Sequence, residues 1–249
     1  MRVPFVFYRI ITYVNKLKKR FKLIPLMVLL FIGGCATTHS TLCDHENAPR
    51  DSFVKILVET PMGDSSGSGA IIKHSNNHSL ILTAGHVCVE NSKISVIDTD
   101  GKKFETYIVR IAEEYDICLL ATKERLKRYA IPISMFSPSR GEAAYNLAAP
   151  HGIHDKHMVL MFHGHYSGKI KIGGQQHPLD VFTIPTAGGS SGSPIFNSNW
   201  EIVGLVSMGY RSFENIALSV PHKAIVAFLN PDFQDVLHSP EDYITPPLK

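Results

Sequence analysis

Residues 189–194 read Gly-Ser-Ser-Gly-Ser-Pro, and this hexapeptide is the most informative stretch of the chain. Glycine on either side of a serine segment lets the backbone bend closely around a reacting group. Backbone N–H groups beside the serine hydroxyl can then stabilise an oxyanion as it develops. The pattern predicts that Ser191 is a nucleophile and that the N–H groups of Gly189 and Ser191 form an oxyanion hole. A Gly/Ser-rich turn between two strands is the alternative.

A second informative stretch lies upstream, where residues 79–87 read Ser-Leu-Ile-Leu-Thr-Ala-Gly-His-Val. A hydrophobic strand ends there in a turn of small residues that presents His86, and residues 67–72 give a glycine-rich entry into the preceding strand. A neutral imidazole in such a turn can take the proton of Ser191 and return it to a leaving amine. Taken alone, such a histidine would be an ordinary surface or core residue.

The third stretch is an acid at the start of an otherwise apolar run, Asp116 in the sequence Tyr-Asp-Ile-Cys-Leu-Leu at residues 115–120. A carboxylate in that setting is costly to bury unless it has a partner. An imidazole N–H is a suitable partner, so the sequence predicts that Asp116 orients His86. Asp98 and Asp100 compete for this role, but they belong to a hairpin turn, where aspartate is common for local reasons.

From residue 51 onward the chain alternates short β-rich runs with turns. The Asp100-Gly101 pair between two such runs is a strong hairpin signal. Many short strands at regular spacing predict an all-β barrel or sandwich, and helical periodicity occurs mainly at residues 222–229. The predicted strands are 53–59, 70–73, 79–83, 94–97, 104–111 and 116–121, followed by 144–147, 158–162, 169–172, 181–184, 202–207 and 216–220.

The three motifs, in the order His, Asp, Ser, resemble those of the trypsin/chymotrypsin superfamily, in particular heat-shock-type periplasmic proteases and glutamyl endopeptidases. Residues 144–152 and 203–209 extend the likeness, which covers about residues 52–230. The resemblance implies a domain at 51–235 made of two six-stranded antiparallel barrels and a short C-terminal helix. The first barrel would span about 51–128 and the second about 129–221, with the catalytic triad in the cleft between them.

The same resemblance implies a cofactor-free serine endopeptidase that acts on protein or peptide substrates. Its specificity pocket would have Pro185 and Thr186 at the floor and Gly209 and Ala217 on the walls, with Ser207 on the strand that pairs with substrate. No acid occurs among these positions, so a preference for Lys or Arg before the scissile bond is not expected. Glutamyl endopeptidases carry a substrate-reading histidine where Val206 stands, so a small or apolar preference is expected instead.

Two other functions are compatible with parts of this pattern. A protease-fold binding protein without activity is one, but all three triad residue types are present. An esterase is the other, but esterases usually carry Gly-x-Ser-x-Gly, and Ser193 occupies the last glycine position here.

The N-terminal leader, residues 1–34, carries seven basic residues and no acid. Its basic cluster precedes an uncharged, mostly apolar run at 23–34, which is too short for a normal transmembrane helix and suits a signal peptide. Residues 32–35, Ile-Gly-Gly-Cys, resemble a bacterial lipoprotein cleavage box in which Cys35 would be acylated. An uncleaved anchor and an ordinary secretory signal are the alternatives, and each would send the rest of the chain across a membrane.

The remainder of the chain has 18 basic against 22 acidic residues, so its net charge is −4 and a nucleic-acid-binding surface is not predicted. Residues 35–50 are predicted to be a tether, and 236–249 a C-terminal tail.

Cysteine and histidine positions leave two questions open. Cys88 and Cys118 each follow a predicted triad residue by two positions, and either a disulfide or two small buried thiols fits this spacing. Cys43 is a third thiol that could pair. Five histidines crowd into residues 151–165, but no Cys or acidic ligand accompanies them at a standard zinc spacing, so solvated histidines are expected and no metal site is predicted. These five are His151, His154, His157, His163 and His165.

Overall fold

The computed structural model describes residues 49–173, 177–210 and 213–230, which contain two closed antiparallel barrels of six strands each. In the first barrel the strand order is β1-β2-β3-β6-β5-β4. Its strands are β1 (Phe53–Thr60), β2 (Gly63–His74), β3 (Ser79–Ala84), β4 (Lys93–Ile97), β5 (Lys103–Ala112) and β6 (Ile117–Thr122).

The second barrel has the strand order β10-β11-β12-β9-β8-β7. Its strands are β7 (Ala143–Ala148), β8 (Leu160–Ile170), β9 (Leu179–Phe182), β10 (Pro194–Phe196), β11 (Ile202–Tyr210) and β12 (Phe213–Val220). One helix, α1 (His222–Leu229), follows the last strand. This confirms the predicted fold class of two six-stranded barrels with a short C-terminal helix.

A shared apolar core holds the two barrels together. Leu82 and Leu119 of the first barrel belong to the same buried cluster as Leu147 and Leu205 of the second, and Ile225 of α1 joins it. Every residue of β3 and of β6 is buried, because these neighbouring strands carry apolar side chains on both faces. The ends of β3 and β6 that point toward the other barrel are therefore fixed in place.

Three strands differ most from the sequence-based expectation. The two predicted runs at 158–162 and 169–172 form a single strand, β8, because pairing with β7 and β9 continues through Gly164 and past an irregularity at Gly168. β2 begins at Gly63 instead of residue 70, since pairing with β1 orders its Gly/Ser-rich half. β10 was not predicted: it has three residues, too few for a periodicity signal.

A disulfide joins Cys88 to Cys118, with 6.4 Å between the two Cα atoms. Both cysteines are buried, one just after the turn that contains His86 and the other in β6. The bond answers a question that the sequence leaves open. Closing a loop of 30 residues constrains the unfolded chain and contributes about 3 to 4 kcal/mol to stability in the chain-entropy account.

The leader at 1–34, Cys35, Cys43 and the tail at 236–249 lie outside the described residues. Among the residues that are described, no helix combines the length and the apolar character needed to cross a membrane.

Candidate active site

His86 and Asp116 are brought together at the ends of two neighbouring strands. His86 lies in a single 3-10 turn, Gly85–Val87, directly after β3. Asp116 ends a second such turn, Glu113–Tyr115, and has a left-handed backbone with φ 57° and ψ 48° just before β6. Gly85 allows this approach, because a Cβ atom there would lie 3.1 Å from the Asp116 Cα atom.

The two side chains form a tight hydrogen-bonded pair. His86 Nδ1 lies 2.9 Å from Asp116 Oδ1 and 3.0 Å from Oδ2, and the His86 backbone N–H donates to Oδ1 at 2.8 Å. Ser207 on β11 adds a hydroxyl that donates to Asp116 Oδ2. A carboxylate at Nδ1 keeps the proton on that nitrogen, so Nε2 is the basic nitrogen of the ring.

This pairing shifts the pKa of both groups. The hydrogen bond to Asp116 raises the pKa of His86 above its ordinary value, although partial burial acts in the opposite direction. Burial would raise the pKa of Asp116, but the hydrogen bonds from His86 and Ser207 outweigh it and lower the pKa. Asp116 is therefore a carboxylate at neutral pH, and it favours the protonated form of His86.

Ser191 lies in a loop between β9 and β10, and residues 188–191 are called the Ser191 loop below. All four carbonyl groups of this loop accept a hydrogen bond. The Gly188 carbonyl accepts from the His151 N–H at 2.5 Å, and the Gly189 carbonyl accepts from the Ser68 hydroxyl at 2.8 Å. The Ser190 carbonyl accepts from the Ser193 N–H at 3.0 Å, and the Ser191 carbonyl accepts from the Ser68 N–H at 2.8 Å. Donors outside the Ser191 loop therefore fix the orientation of its peptide planes.

Three of the four N–H groups of the same loop, those of Gly188, Gly189 and Ser191, have no such partner among the described residues. Within the part of the chain that the structure describes, neither the Gly189 N–H nor the Ser191 N–H donates a hydrogen bond, whereas the Ser190 N–H donates to the Ala187 carbonyl at 2.9 Å. Gly189 has φ +93°, a conformation that favours glycine. The loop thus has unpaired donors at both predicted oxyanion-hole positions, Gly189 and Ser191.

The Ser191 loop lies against the turn that carries His86. A Cβ atom at Gly67 would lie 2.8 Å from the side chain of Val87 and 3.2 Å from the Ser191 carbonyl oxygen, so Gly67 separates the two segments. Gly192 has φ +79°, and a Cβ atom there would lie 2.7 Å from the Ala84 backbone nitrogen. Glycine at both positions lets the segments approach closely.

A family comparison agrees with this arrangement. The sequence model of the family described as "Trypsin-like peptidase domain" matches residues 67–205, more than half of the chain. The chain belongs to the trypsin-like peptidase family. The matched segment extends from β2 to β11 and includes all three predicted triad positions.

Curated relatives of this trypsin-like peptidase are distant in sequence. Serine protease HTRA1 from Xenopus tropicalis is 24% identical over 171 residues, which cover 66% of the chain and 35% of the relative. Serine protease Do-like HtrA from Lactococcus lactis is 23% identical over 180 residues, which cover 67% of the chain and 44% of the relative. The chain therefore spans less than half the length of these relatives.

Two solved structures share the fold. The serine endoprotease from Yersinia pestis superposes with a TM-score of 0.61 at 20% identity and covers 78% of this chain and 64% of that one. The active form of the Rv3671c protease from M. tuberculosis gives a TM-score of 0.63 at 20% identity, covering 78% of this chain and 87% of that one. At this identity the likeness shows the fold alone.

Four of the five predicted pocket residues of the trypsin-like peptidase lie near one another. Thr186 follows Pro185, and a Cβ atom at Gly209 would lie 2.5 Å from Thr186 Oγ1. Ala217 on β12 pairs with Gly209 on β11. Ser207, the fifth residue, contacts the triad instead, because its buried hydroxyl donates a hydrogen bond to Asp116 Oδ2.

A cavity of about 450 Å³ adjoins the His86–Asp116 pair, and Ser207 is the predicted pocket residue that lines it. Met208 and Leu179 supply apolar lining from the second barrel. Tyr115 of the first barrel stacks on His177 of the second at 4.4 Å between ring centroids, and both rings also line the cavity. Sequence reasoning gave no signal for this cavity.

The five histidines of residues 151–165 are dispersed in the trypsin-like peptidase. His163 and His165 are exposed neighbours on β8, with ring centroids 5.3 Å apart. His154 packs on Phe53, and burial lowers its pKa. Over residues 49–173, 177–210 and 213–230, no three His, Cys, Asp or Glu side chains group as they would around a metal ion.

Proposed function

We propose that the chain is a serine endopeptidase that works through the triad His86, Asp116 and Ser191. The observation that carries the proposal is the His86–Asp116 pair, joined by hydrogen bonds at 2.9 and 3.0 Å, beside a loop in which the Gly189 and Ser191 N–H groups are unpaired. Membership of the trypsin-like peptidase family supports it.

The reaction follows from the chemistry of these groups. Ser191 Oγ attacks the scissile carbonyl carbon while its proton passes to His86 Nε2, and Asp116 stabilises the imidazolium that results. The N–H groups of Gly189 and Ser191 bind the oxyanion. His86 then protonates the leaving amine, the C–N bond breaks and an acyl-enzyme remains. Water, deprotonated by His86, attacks the ester carbonyl carbon, and His86 returns the proton to Ser191 Oγ as the C–O bond breaks and the carboxylic acid product leaves.

A catalytically inactive binding protein is the other candidate. The site gives it little support, because the Asp116 carboxylate, the basic Nε2 nitrogen and the unpaired N–H pair are what catalysis needs and what ligand binding alone does not. An esterase has no observation of its own in its favour.

The proposed pocket of Pro185, Thr186, Gly209 and Ala217 contains no acidic side chain and accounts for a small or apolar residue before the scissile bond. In a library of quenched-fluorescence peptides that varies only this residue, we expect Ala, Val or Leu substrates to exceed Lys, Arg, Asp and Glu substrates at least tenfold in kcat/KM, since burying an unpaired charge is costly. Equal or better cleavage after a charged residue would contradict the pocket assignment. Cleavage of none of the peptides would contradict the endopeptidase itself.

The leader supports export and attachment to a membrane through lipid on Cys35. Cleavage before Cys35 would remove seven basic residues and leave an acidic domain, which lipid chains would hold at the bilayer through apolar burial. Mass spectrometry of the mature N-terminus is expected to find an acylated Cys35. An intact Met1 would indicate an uncleaved anchor, and a start beyond Cys35 would indicate a soluble secreted enzyme.

A further inference from the structure

Ser68 is a buried residue of the first barrel whose polar atoms contact the second barrel. It lies on β2, has no exposed surface and pairs in register with Lys55 of β1. Its N–H donates to the Ser191 carbonyl at 2.8 Å, and its hydroxyl donates to the Gly189 carbonyl at 2.8 Å. A single residue therefore holds the carbonyl groups on both sides of Ser190.

The direction of the Ser68 hydroxyl is fixed by a third contact. The Ala149 N–H donates to Ser68 Oγ at 3.1 Å. A hydroxyl has one proton to give, and with the oxygen already accepting from Ala149 that proton goes to the Gly189 carbonyl. Ala149 begins the turn that also contains His151, the residue whose N–H binds the Gly188 carbonyl.

These contacts determine where the unpaired N–H of Gly189 points. The C=O of Gly188 and the N–H of Gly189 belong to one planar trans peptide, so they point in opposite directions. The His151 N–H binds this peptide at its carbonyl end, and the Ser68 hydroxyl fixes the next peptide at the Gly189 carbonyl. Rotation of the Gly188–Gly189 peptide would break the His151 bond and turn the Gly189 N–H away, and the Ser68 bond holds the adjoining Gly189–Ser190 peptide, which shares the Gly189 Cα atom with it.

We propose that Ser68 is a positioning residue for the oxyanion-binding geometry of the Ser191 loop, an inference that rests on the proposed endopeptidase function. Among the four donors that hold the loop's carbonyl groups, the Ser68 hydroxyl is the one that belongs to a side chain. Removing it leaves the Ala149 N–H and the Gly189 carbonyl without their partner while the nucleophile, the general base and the proposed pocket stay intact.

Ser68→Ala tests the proposal by separating transition-state stabilisation from substrate binding. We expect kcat to fall about tenfold or more, because misplacing an oxyanion donor has part of the effect of deleting one. KM should stay within about twofold, since the lost interaction acts only in the transition state. Affinity for a peptide aldehyde, which forms a tetrahedral adduct on the nucleophile, should fall by the same factor as kcat. Affinity for the matching peptide amide should not change.

Ser65→Ala, an exposed serine of the same strand, is the matched control and should leave both kcat and aldehyde affinity unchanged. If the alanine variant does not fold, Ser68→Cys carries the same expectation, because a thiol of similar size is a weak donor.

Wild-type kcat and aldehyde affinity in a folded Ser68 variant would overturn the proposal. Equal losses for aldehyde and amide would also overturn it, since they would indicate a general structural role. A wild-type protein that neither cleaves peptides nor binds the aldehyde would instead refute the proposed function, and the positioning role with it.

Discussion

Ser191→Ala is expected to lower kcat for peptide hydrolysis by about 10⁴-fold or more, because the variant lacks the oxygen that forms the acyl-enzyme. The fold should be unaffected, since the contacts of Ser191 that hold the loop come from its backbone carbonyl and not from its side chain. Turnover is measured with a quenched-fluorescence peptide, and folding with a thermal unfolding curve.

Ser198→Ala is the matched control for this substitution. Ser198 is exposed on the turn between β10 and β11, outside the proposed machinery, and its loss should change kcat by less than about twofold. Near-normal turnover by a folded Ser191→Ala protein would refute the nucleophile assignment, and Ser190 and Ser193 would be tested next.

Asp116→Asn is expected to lower kcat by about 10⁴-fold while the fold is kept. Asparagine tolerates the left-handed backbone of this position, so local strain should be small. The Asp116 carboxylate binds both the backbone N–H and Nδ1 of His86. The variant amide has a single oxygen to accept with, so it no longer holds the proton on Nδ1, and the imidazole can adopt the tautomer with its proton on Nε2. That tautomer cannot take a proton from Ser191.

The pH dependence gives the same substitution a second readout. His86 acts as a base when neutral, and its pKa is raised by Asp116, so wild-type kcat/KM should rise with pH through a midpoint above the ordinary histidine value. In Asp116→Asn that midpoint should move to lower pH. A loss of less than tenfold, or an unmoved midpoint, would contradict the role assigned to Asp116.

Asp100→Asn serves as the control for the acid assignment. Asp100 forms an ion pair with Arg128 at the β4–β5 hairpin, and His157 Nδ1 lies 3.3 Å from its carboxylate. Because none of these contacts involves His86, the substitution should leave both kcat and the pH midpoint unchanged. Asp98 accepts hydrogen bonds from backbone N–H groups of the same hairpin, as expected for a turn aspartate.

The parts of the fold that the sequence predicts are those with a strong local signal. An apolar run predicts β3, helical periodicity predicts α1, and Asp100-Gly101 predicts the β4–β5 hairpin, where Gly101 has φ +81°. β10 and the first half of β2 were missed, because short or Gly/Ser-rich segments become strands only when a neighbouring strand pairs with them.

The candidate site likewise has residues that the sequence predicts and contacts that it does not. His86, Asp116 and Ser191 follow from motifs, because each reactive side chain needs a particular local setting. The bonds from the Ser207 hydroxyl to Asp116 and from the Ser68 hydroxyl to Gly189 join segments 91 and 121 residues apart, which no local pattern encodes. The positions of Cys88 and Cys118 leave their disulfide as one of two possibilities. Serine is common in loops and strands of every kind, so its type alone gave no signal for these roles.

Labelling with a fluorophosphonate, followed by peptide mapping, tests the central claim most directly. Fluorophosphonates react with a serine that is activated by a neighbouring base and an oxyanion hole, and the modified residue is identified by mass spectrometry. The account predicts stoichiometric modification of Ser191 in the wild-type protein, strongly reduced labelling in Asp116→Asn and none in Ser191→Ala. Modification of a different serine, or no labelling of the folded wild-type protein, would contradict it.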